Sequence, residues 1–269
     1  MSPQAIKSWI RQDLPVCLGL RDDLLASCRS DRRKAVRELD QYFLRLEEAH
    51  QAELRRVRAM YDFDLNYGSL VAGVDEVGRG PLAGPIVGAA VILRADCAAA
   101  ELILQINDSK KLTAKKRQEL APLIREQAVA WAVFEHSNDD IDNLGLSFCN
   151  NDIFIQALDR LAVKPDIVLS DGYPIRHYRG RNEKVIKGDA KSAAIACASI
   201  LAQVYRDQLM YEMDELYPGY GFSGNVGYAS KEHIASIQTL GPCRIHRRSF
   251  LTRILEEAPE QTELPMEWD

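Results

Sequence analysis

This chain of 269 residues contains no hydrophobic run long enough to cross a membrane. A membrane-spanning helix needs about 18 or more consecutive apolar residues, whereas the apolar runs of this sequence are only as long as strands. The first four residues, Met-Ser-Pro-Gln, also lack the basic and apolar pattern of a signal peptide. The sequence therefore predicts a cytoplasmic protein with no membrane partner.

Paired cysteines are missing as well, because no Cys-x-x-Cys sequence occurs. Such pairs are the usual ligands of structural zinc, and a reducing cytoplasm disfavours disulfides. No two histidines have metal-ligand spacing on one helix. We therefore expect neither a zinc site nor a disulfide framework. All six thiols are interpreted as packing or incidental groups: Cys17, Cys28, Cys97, Cys149, Cys197 and Cys243.

Two common nucleotide-binding patterns are absent. The chain has no Gly-x-x-x-x-Gly-Lys-Ser/Thr sequence, so an ATP-dependent phosphate loop has no support. The glycines at 78, 80 and 84 match a dinucleotide fingerprint only in part, because the third is displaced. A strand-like run follows them where the fingerprint requires a helix. Rossmann-type binding is therefore not supported either.

Net positive charge is also lacking, since the formal net charge is −5. This balance argues mildly against nucleic acid, because binding a polyanion depends on lysine and arginine. The basic residues are nevertheless clustered at 110–117, at 176–191 and at 244–248, while acidic residues collect in the last fourteen positions. A group of metal-binding carboxylates would itself lower the net charge. A nucleic-acid substrate therefore remains compatible with the composition.

The most informative segment is 71–85, VAGVDEVGRGPLAGP. Residues 70–74 form an apolar run that predicts a buried strand, and it delivers the adjacent carboxylates of Asp75 and Glu76 to its end. An isolated acidic pair is usually a solvated strand end. Here glycines and Arg79 follow, and this combination suits a divalent cation together with an anionic substrate.

This segment resembles the signature of type 2 ribonuclease H, the ribonuclease HII family. Further stretches follow in that family's order and approximate spacing from about residue 70 to about residue 253. They are NDSKKL at 107–112, SDG at 170–172, KGDAKS at 187–192, ASILA at 198–202, GY at 227–228 and IHRRSF at 245–250. A single motif of this kind is weak evidence, whereas the whole set in register is specific.

The resemblance implies four catalytic and metal-binding carboxylates: Asp75, Glu76, Asp171 and Asp189. Taken alone, Asp171 followed by Gly172 reads as an ordinary turn, and Asp189 reads as the cap of the helix that follows. The match to the family's four acids favours the catalytic interpretation. Asp207 is the rival for the fourth acid, but it lies inside a predicted helix and we interpret it as structural.

The ligand type predicts the metal. Carboxylate oxygens without cysteine or histidine select hard cations, so we expect Mg²⁺ or Mn²⁺ and not zinc. Two such ions about 4 Å apart can generate a hydroxide nucleophile and stabilise the leaving oxygen of a phosphoryl transfer.

The resemblance also implies the substrate contacts. The backbone of the 78–80 loop would recognise the 2′-hydroxyl that distinguishes RNA from DNA. The ring of Tyr228 would pack on the sugar of the next deoxynucleotide, although a core tyrosine in a glycine-rich loop is the plain alternative. The residues predicted to bind substrate are Gly78, Arg79, Gly80, Lys110, Lys111, Ser192 and Tyr228. His246 is interpreted as a satisfied local histidine or a phosphate neighbour.

The predicted fold class is α/β, with a ribonuclease H-like mixed five-stranded sheet flanked by helices. Residues 1–66 are predicted to form a small helical extension, with an amphipathic helix at 32–61, and residues 67–256 the catalytic domain. A helical appendage is preferred to a self-dimerising coiled coil. Strands are predicted at 70–74, 86–93, 128–135, 167–170 and 184–186, and helices at 114–126, 147–161, 190–215 and 231–239. The short 78–85 connection predicts antiparallel pairing of the first two strands.

These features predict a metal-dependent endoribonuclease that acts on RNA–DNA hybrids. The resemblance implies that it also cuts 5′ of single ribonucleotides in duplex DNA, leaving a 3′-hydroxyl and a 5′-phosphate. Two alternatives stay open: a ribonuclease HIII-like enzyme, which lacks single-ribonucleotide excision, and a catalytically weak hybrid-binding protein. The Gly-Arg-Gly form of the loop and the helical extension favour ribonuclease HII.

Three positions depart from the family pattern. Gln203 stands where members usually have lysine, and Asn225 and Val226 stand where they have histidine and lysine. Ser192, Ser199 and Gln203 share one helix face at about 3.6 residues per turn, so Gln203 is expected on the substrate side. A missing phosphate contact would weaken binding, whereas a family lysine that is solvated or paired internally would make glutamine neutral.

The acidic tail at 257–269 is predicted to be disordered. Its segment QTELPM at 261–266 loosely resembles peptides that bind bacterial sliding clamps. A solvated tail without a partner is the interpretation that we prefer.

Overall fold

The computed structural model describes residues 1–256. The chain divides into two compact units, Met1–Ala59 and a second unit that begins at Met60. The domain boundary that we predict at residue 66 remains a prediction. The tail at 257–269, with its predicted disorder and its clamp-like segment, lies outside the described residues.

The first unit is helical, as predicted. It contains α1 (Pro3–Gln12), α2 (Leu14–Gly19), α3 (Arg21–Ser30), α4 (Lys34–Arg37) and most of α5 (Leu39–Leu65). One of its apolar clusters combines a buried side chain from each of four helices, Ile10, Cys17, Leu25 and Phe43, and a second contains Cys28, Val36 and Leu39. The helix predicted at 32–61 is therefore divided in two, and the last six residues of α5 belong to the second unit.

The second unit is built on a five-stranded sheet in the order β3-β2-β1-β4-β5. The strands are β1 (Leu70–Val77), β2 (Ile86–Arg94), β3 (Ala130–His136), β4 (Ile167–Asp171) and β5 (Asn182–Val185). Pairing is antiparallel between β1, β2 and β3, and parallel between β1, β4 and β5. The mixed sheet and the antiparallel neighbour of β1 are confirmed.

Seven helices belong to the second unit within the described residues. They are α6 (Ala114–Gln127), α7 (Asn138–Leu144), α8 (Leu146–Asp159), α9 (Ala193–Leu216), α10 (Phe222–Asn225), α11 (Lys231–Leu240) and α12 (Arg248–Glu256). Cys149, Ile153 and Ala157 of α8 join one apolar cluster with the sheet, while Ile195 of α9 joins another with Val71 and other strand residues. No helix among residues 1–256 is both long and apolar enough to span a bilayer.

The residue at which α9 begins sets the position of the preceding turn, which carries Asp189. The helix predicted from residue 190 begins at Ala193, because residues Gly188–Ala190 form a separate 3-10 turn. The hydroxyl of Ser192 accepts the N–H of Ile195, and the buried carboxylate of Asp64 accepts the N–H of Ala194 at 3.0 Å. These two caps satisfy N–H groups that a helix terminus leaves unpaired.

Candidate active site

The four predicted acids come from three neighbouring elements at one edge of the sheet. Asp75 and Glu76 lie near the end of β1, and Asp171 is the last residue of β4. Because β1 and β4 are parallel with Val74 opposite Ser170, the next residues along both strands emerge side by side. Carboxyl ends of parallel strands are where open α/β sheets place ligand-handling groups.

Asp189 reaches the same edge through the turn before α9. The N–H of Gly188 donates to Oδ1 of Asp171 at 2.8 Å, which ties this turn to the end of β4. Burial raises the pKa of Asp189, and the nearby carboxylates of Asp108 and Asp171 add to the shift. All four acids therefore lie in one electrostatic environment.

Asp75 and Glu76 are strongly affected by that environment. Burial raises the pKa of Asp75 to about 8, and repulsion from Glu76 adds to the shift, while a hydrogen bond with Ser199 opposes it. Burial also raises the pKa of Glu76, against the attraction of Arg79, whose Nη1 lies 3.5 Å from Oε1 of Glu76. Negative charge at this edge is therefore poorly compensated by the protein's own cations.

Within residues 1–256, no three histidine, cysteine, aspartate or glutamate side chains converge closely enough to hold a metal ion as a group. The assignment of the four acids as ligands therefore remains a proposal. The chemistry of the donor set fits hard cations, because the acids offer only carboxylate oxygen at a site that disfavours uncompensated anions. A divalent cation would supply the positive charge that Asp75 and Glu76 lack.

A cavity of about 440 Å³ adjoins the acids. Its walls combine the end of β1 with the glycine-rich loop, the 109–110 turn, α6, α9 and the Tyr228 loop. The lining residues are Asp75, Glu76, Val77, Gly78, Arg79, Gly80, Ser109, Lys110, Arg117, Ser199, Gln203 and Tyr228. A second concavity, which includes Asp171, shares Glu76 and Arg79 with the first. An open groove therefore runs across the acidic edge.

Five of the seven predicted substrate-binding residues line the cavity, and two do not. Gly78, Arg79, Gly80, Lys110 and Tyr228 line the cavity. Lys111 is exposed, and its Nζ lies 3.6 Å from Oδ2 of Asp108. Ser192 is fully buried as the cap of α9, so its hydroxyl faces the protein interior.

One buried histidine, His233, holds Tyr228, and a second, His246, supports His233. Nδ1 of His233 lies 2.8 Å from the Tyr228 carbonyl oxygen, and it must carry the proton because a carbonyl only accepts. Nε2 of His233 is then the acceptor for Nε2 of His246 at 3.1 Å. Nδ1 of His246 in turn accepts the N–H of Cys243 at 3.0 Å. Both histidines are therefore neutral, as in the interpretation of His246 as a satisfied local residue.

Two residues of the site went unrecognised in the sequence. Asp108, inside the NDSKKL motif, lies beside Asp189, and its carboxylate adds to the rise in the pKa of Asp189. Arg117, in α6, lines the cavity, and its Nη2 lies 3.0 Å from Oδ2 of Asp207. The NDSKKL motif contains Asp108 and the basic cluster at 110–117 contains Arg117, but neither pattern shows that these two side chains lie at the site. This ion pair agrees with the interpretation of Asp207 as a structural residue.

Comparison with known proteins places this site in a class. The crystal structure of the ribonuclease H2 from Pyrococcus horikoshii OT3 aligns with a TM-score of 0.61 and 26% identity, covering 70% of this chain and 97% of that one. The crystal structure of Bst-RNase HIII in complex with Mn²⁺ aligns with a TM-score of 0.57 and 21% identity, covering 73% and 71%, and indicates the fold alone. The sheet and its acidic edge thus define a protein of the ribonuclease H class.

Related sequences identify the family within the ribonuclease H class. A protein named Ribonuclease HII from Clostridium acetobutylicum is 52% identical over 258 residues, which are 95% of this chain and 100% of that protein. Residues 72–253 match the family described as Ribonuclease HII. The chain belongs to the ribonuclease HII family.

Proposed function

We propose that this chain is a divalent-metal-dependent endonuclease that hydrolyses RNA in RNA–DNA hybrids. We further propose that it cuts 5′ of single ribonucleotides in duplex DNA and leaves a 3′-hydroxyl and a 5′-phosphate. The observation that carries the proposal is the shared cavity, in which Asp75 and Glu76 lie beside the 78–80 loop and Tyr228. Family membership supports the same activity.

Asp75, Glu76, Asp171 and Asp189 would hold the metal. Mg²⁺ or Mn²⁺ bound there would supply an activated water and stabilise the leaving oxygen of the phosphodiester. The exposed ammonium of Lys110 lies on the cavity wall, where it can contact a backbone phosphate. The ring of Tyr228, with 46% of its surface exposed, can pack against a sugar. These contacts position the strand over the acids.

The cleavage of three matched duplexes tests this function. A duplex DNA with one embedded ribonucleotide and a long RNA–DNA hybrid should both be cut when Mg²⁺ or Mn²⁺ is present, whereas an all-DNA duplex should stay intact. The cut next to the single ribonucleotide should leave it at the 5′ end of the downstream product. Mapping the product ends on a sequencing gel measures both the position and the end chemistry.

The alternatives predict other patterns in the same assay. A ribonuclease HIII-like enzyme would cut the long hybrid and spare the single ribonucleotide. A hybrid-binding protein without catalysis would retain the hybrid in a mobility shift but release no product at any metal concentration. Either pattern would overturn the proposed activity.

A further prediction concerns Gln203. The side chain lines the cavity, but its Nε2 donates to Oδ1 of Asp207 at 2.7 Å. We expect Gln203→Lys to tighten hybrid binding at moderate salt and to steepen its salt dependence, with the logarithmic slope changing by roughly 0.9 per phosphate contact. The metal requirement and the cleavage position should not change. Dissociation constants over a salt series measure the effect.

Gln208→Lys is the matched control, because Gln208 is an exposed residue of the same helix outside the cavity. Superimposable salt lines for wild type and Gln203→Lys would mean that residue 203 pairs internally with Asp207 and does not reach the backbone. Asn225, one of the two other departures, forms hydrogen bonds within its own loop, since it donates to the Tyr220 carbonyl and accepts the N–H of Gly227.

Localisation in the cytoplasm also remains a prediction.

A further inference from the structure

Two arginines of the catalytic unit are completely buried. Arg206 of α9 and Arg247, next to α12, both have 0% exposure. Neither guanidinium forms an ion pair with a carboxylate within the described residues. Burying a charged group without a counterion is costly, so its hydrogen bonds must compensate for lost hydration. The hydrogen-bond partners of the two guanidinium groups therefore indicate their role in the structure.

Arg247 binds the loop between β1 and β2. Its Nη2 donates to the carbonyls of Gly78 at 2.6 Å and Pro85 at 3.1 Å. Its Nη1 donates to the carbonyl of Arg79 at 3.0 Å, and its Nε to that of Gly84 at 3.0 Å. One planar guanidinium thus holds four carbonyls of the 78–85 segment together.

Arg206 braces the same loop from α9. Its Nε donates to the carbonyl of Pro85 at 3.0 Å and its Nη2 to that of Ala83 at 3.1 Å. Its third nitrogen, Nη1, donates to the carbonyl of Val226 at 2.9 Å. Arg206 therefore connects the glycine-rich loop to the loop that carries Tyr228.

Gly78 and Gly80 of the loop differ in what a side chain at each position would contact. A Cβ on Gly78 would lie 2.4 Å from Nε of Arg206, and Gly78 also has a φ of 91°. A Cβ on Gly80 would meet only a ring carbon of Tyr228, at 3.7 Å. Gly78 thus faces the buried guanidinium, whereas Gly80 faces the groove.

The trans geometry of the peptide bonds then fixes the direction in which the N–H groups of Arg79 and Gly80 point. In a trans peptide the carbonyl of one residue and the N–H of the next point in opposite directions, and no cis peptide occurs in the described chain. Because the carbonyls of Gly78 and Arg79 point at Arg247, the N–H groups of Arg79 and Gly80 point away from it. Within residues 1–256 neither N–H donates to a protein acceptor.

We propose that Arg247, braced by Arg206, is a positioning residue for ribonucleotide recognition: it turns the loop carbonyls inward so that the N–H groups of Arg79 and Gly80 face the 2′-hydroxyl oxygen. This inference rests on the proposed function. The specificity of the site then depends on a residue that never touches the substrate. Lysine cannot replace this arginine, because one ammonium cannot span four carbonyls in the fork geometry of a guanidinium.

The test measures binding and not turnover. Fluorescence anisotropy with EDTA compares a duplex containing one ribonucleotide with the same all-DNA duplex. Wild type should prefer the ribonucleotide, and Arg247→Lys should lower that preference by roughly tenfold for each hydrogen bond lost. Affinity for the all-DNA duplex should stay the same, because phosphate contacts do not depend on the loop carbonyls. Arg253→Lys, at an exposed position of α12, is the matched control.

An unchanged preference in folded Arg247→Lys would overturn the proposal. Amide exchange in the wild-type protein gives a second test that needs no variant. The N–H groups of Arg79 and Gly80 should gain protection with the ribonucleotide duplex and not with the all-DNA duplex, and equal protection by both would also overturn it. Lack of any wild-type preference or cleavage would instead refute the proposed function itself.

Discussion

Replacing Asp75, Asp171 or Asp189 by asparagine is expected to lower the cleavage rate by roughly a thousandfold or more while the protein stays folded. Asparagine keeps the shape of the side chain but removes the charge that would hold the cations. Because burial raises the pKa of Asp75 to about 8, its ionised form destabilises the fold, and this penalty grows as the pH rises. The melting temperature of Asp75→Asn at neutral pH should therefore equal or exceed that of wild type.

Asp207→Asn is the matched control for these variants. Asp207 is buried in an ion pair with Arg117, so its loss should cost about 3 kcal/mol of unfolding free energy. Cleavage per folded molecule should change little. Single-turnover rates and thermal unfolding curves separate the two effects. Near-full activity in Asp189→Asn, or an equal loss in Asp207→Asn, would overturn the assignment of the fourth acid.

Replacing Gly73 by alanine is expected to destabilise the catalytic unit by about 3 kcal/mol or more. A Cβ on Gly73 would lie 2.1 Å from the carbonyl carbon of Ala194 and 2.1 Å from the nitrogen of Ile195. Both atoms are backbone of α9, so no side chain can move aside. The clash would push β1, which carries Asp75, away from the helix that follows Asp189.

Thermal unfolding should show a fall in melting temperature of roughly 10 °C for Gly73→Ala. Gly224→Ala is the control, because nothing lies within 4 Å of its Cβ position and the residue is helical. Its melting temperature should be unchanged or slightly higher, since alanine restricts the unfolded chain. Equal stability of the two variants would mean that β1 and α9 are not packed as closely as described.

Much of the fold was predictable because its signals are local. Strands β1 to β4 each contain an apolar run bounded by glycine, proline or polar residues, whereas β5 is mostly polar, and all five predicted strands lie within a few residues of the observed spans. The short helices α7, α10 and α12 were missed. The serine and acid of the Ser137 capping box were present as a signal for α7. α10, with four residues, is too short to show a periodicity, and α12 begins inside the last motif, at Arg248.

The candidate site also contains some residues that local sequence signals identify and others whose surroundings only the structure shows. Asp75 and Glu76 were identifiable because strand, acids and glycines are adjacent in the chain. The family resemblance predicts that Ser192 binds substrate, but in the structure its hydroxyl is the buried cap of α9. The sequence places Arg247 in the basic cluster at 244–248, although its guanidinium is enclosed by backbone carbonyls.

By itself, the sequence determined the class of fold, the family and the four candidate acids, because strand periodicity, turn chemistry and motif order are properties of short segments. Only the tertiary structure decided which charged groups face solvent and which face the protein. A hydrogen bond such as that from Arg247 to Gly78 joins residues 169 positions apart. No local pattern contains such a contact, because it depends on the packing of the sheet against α9 and α12.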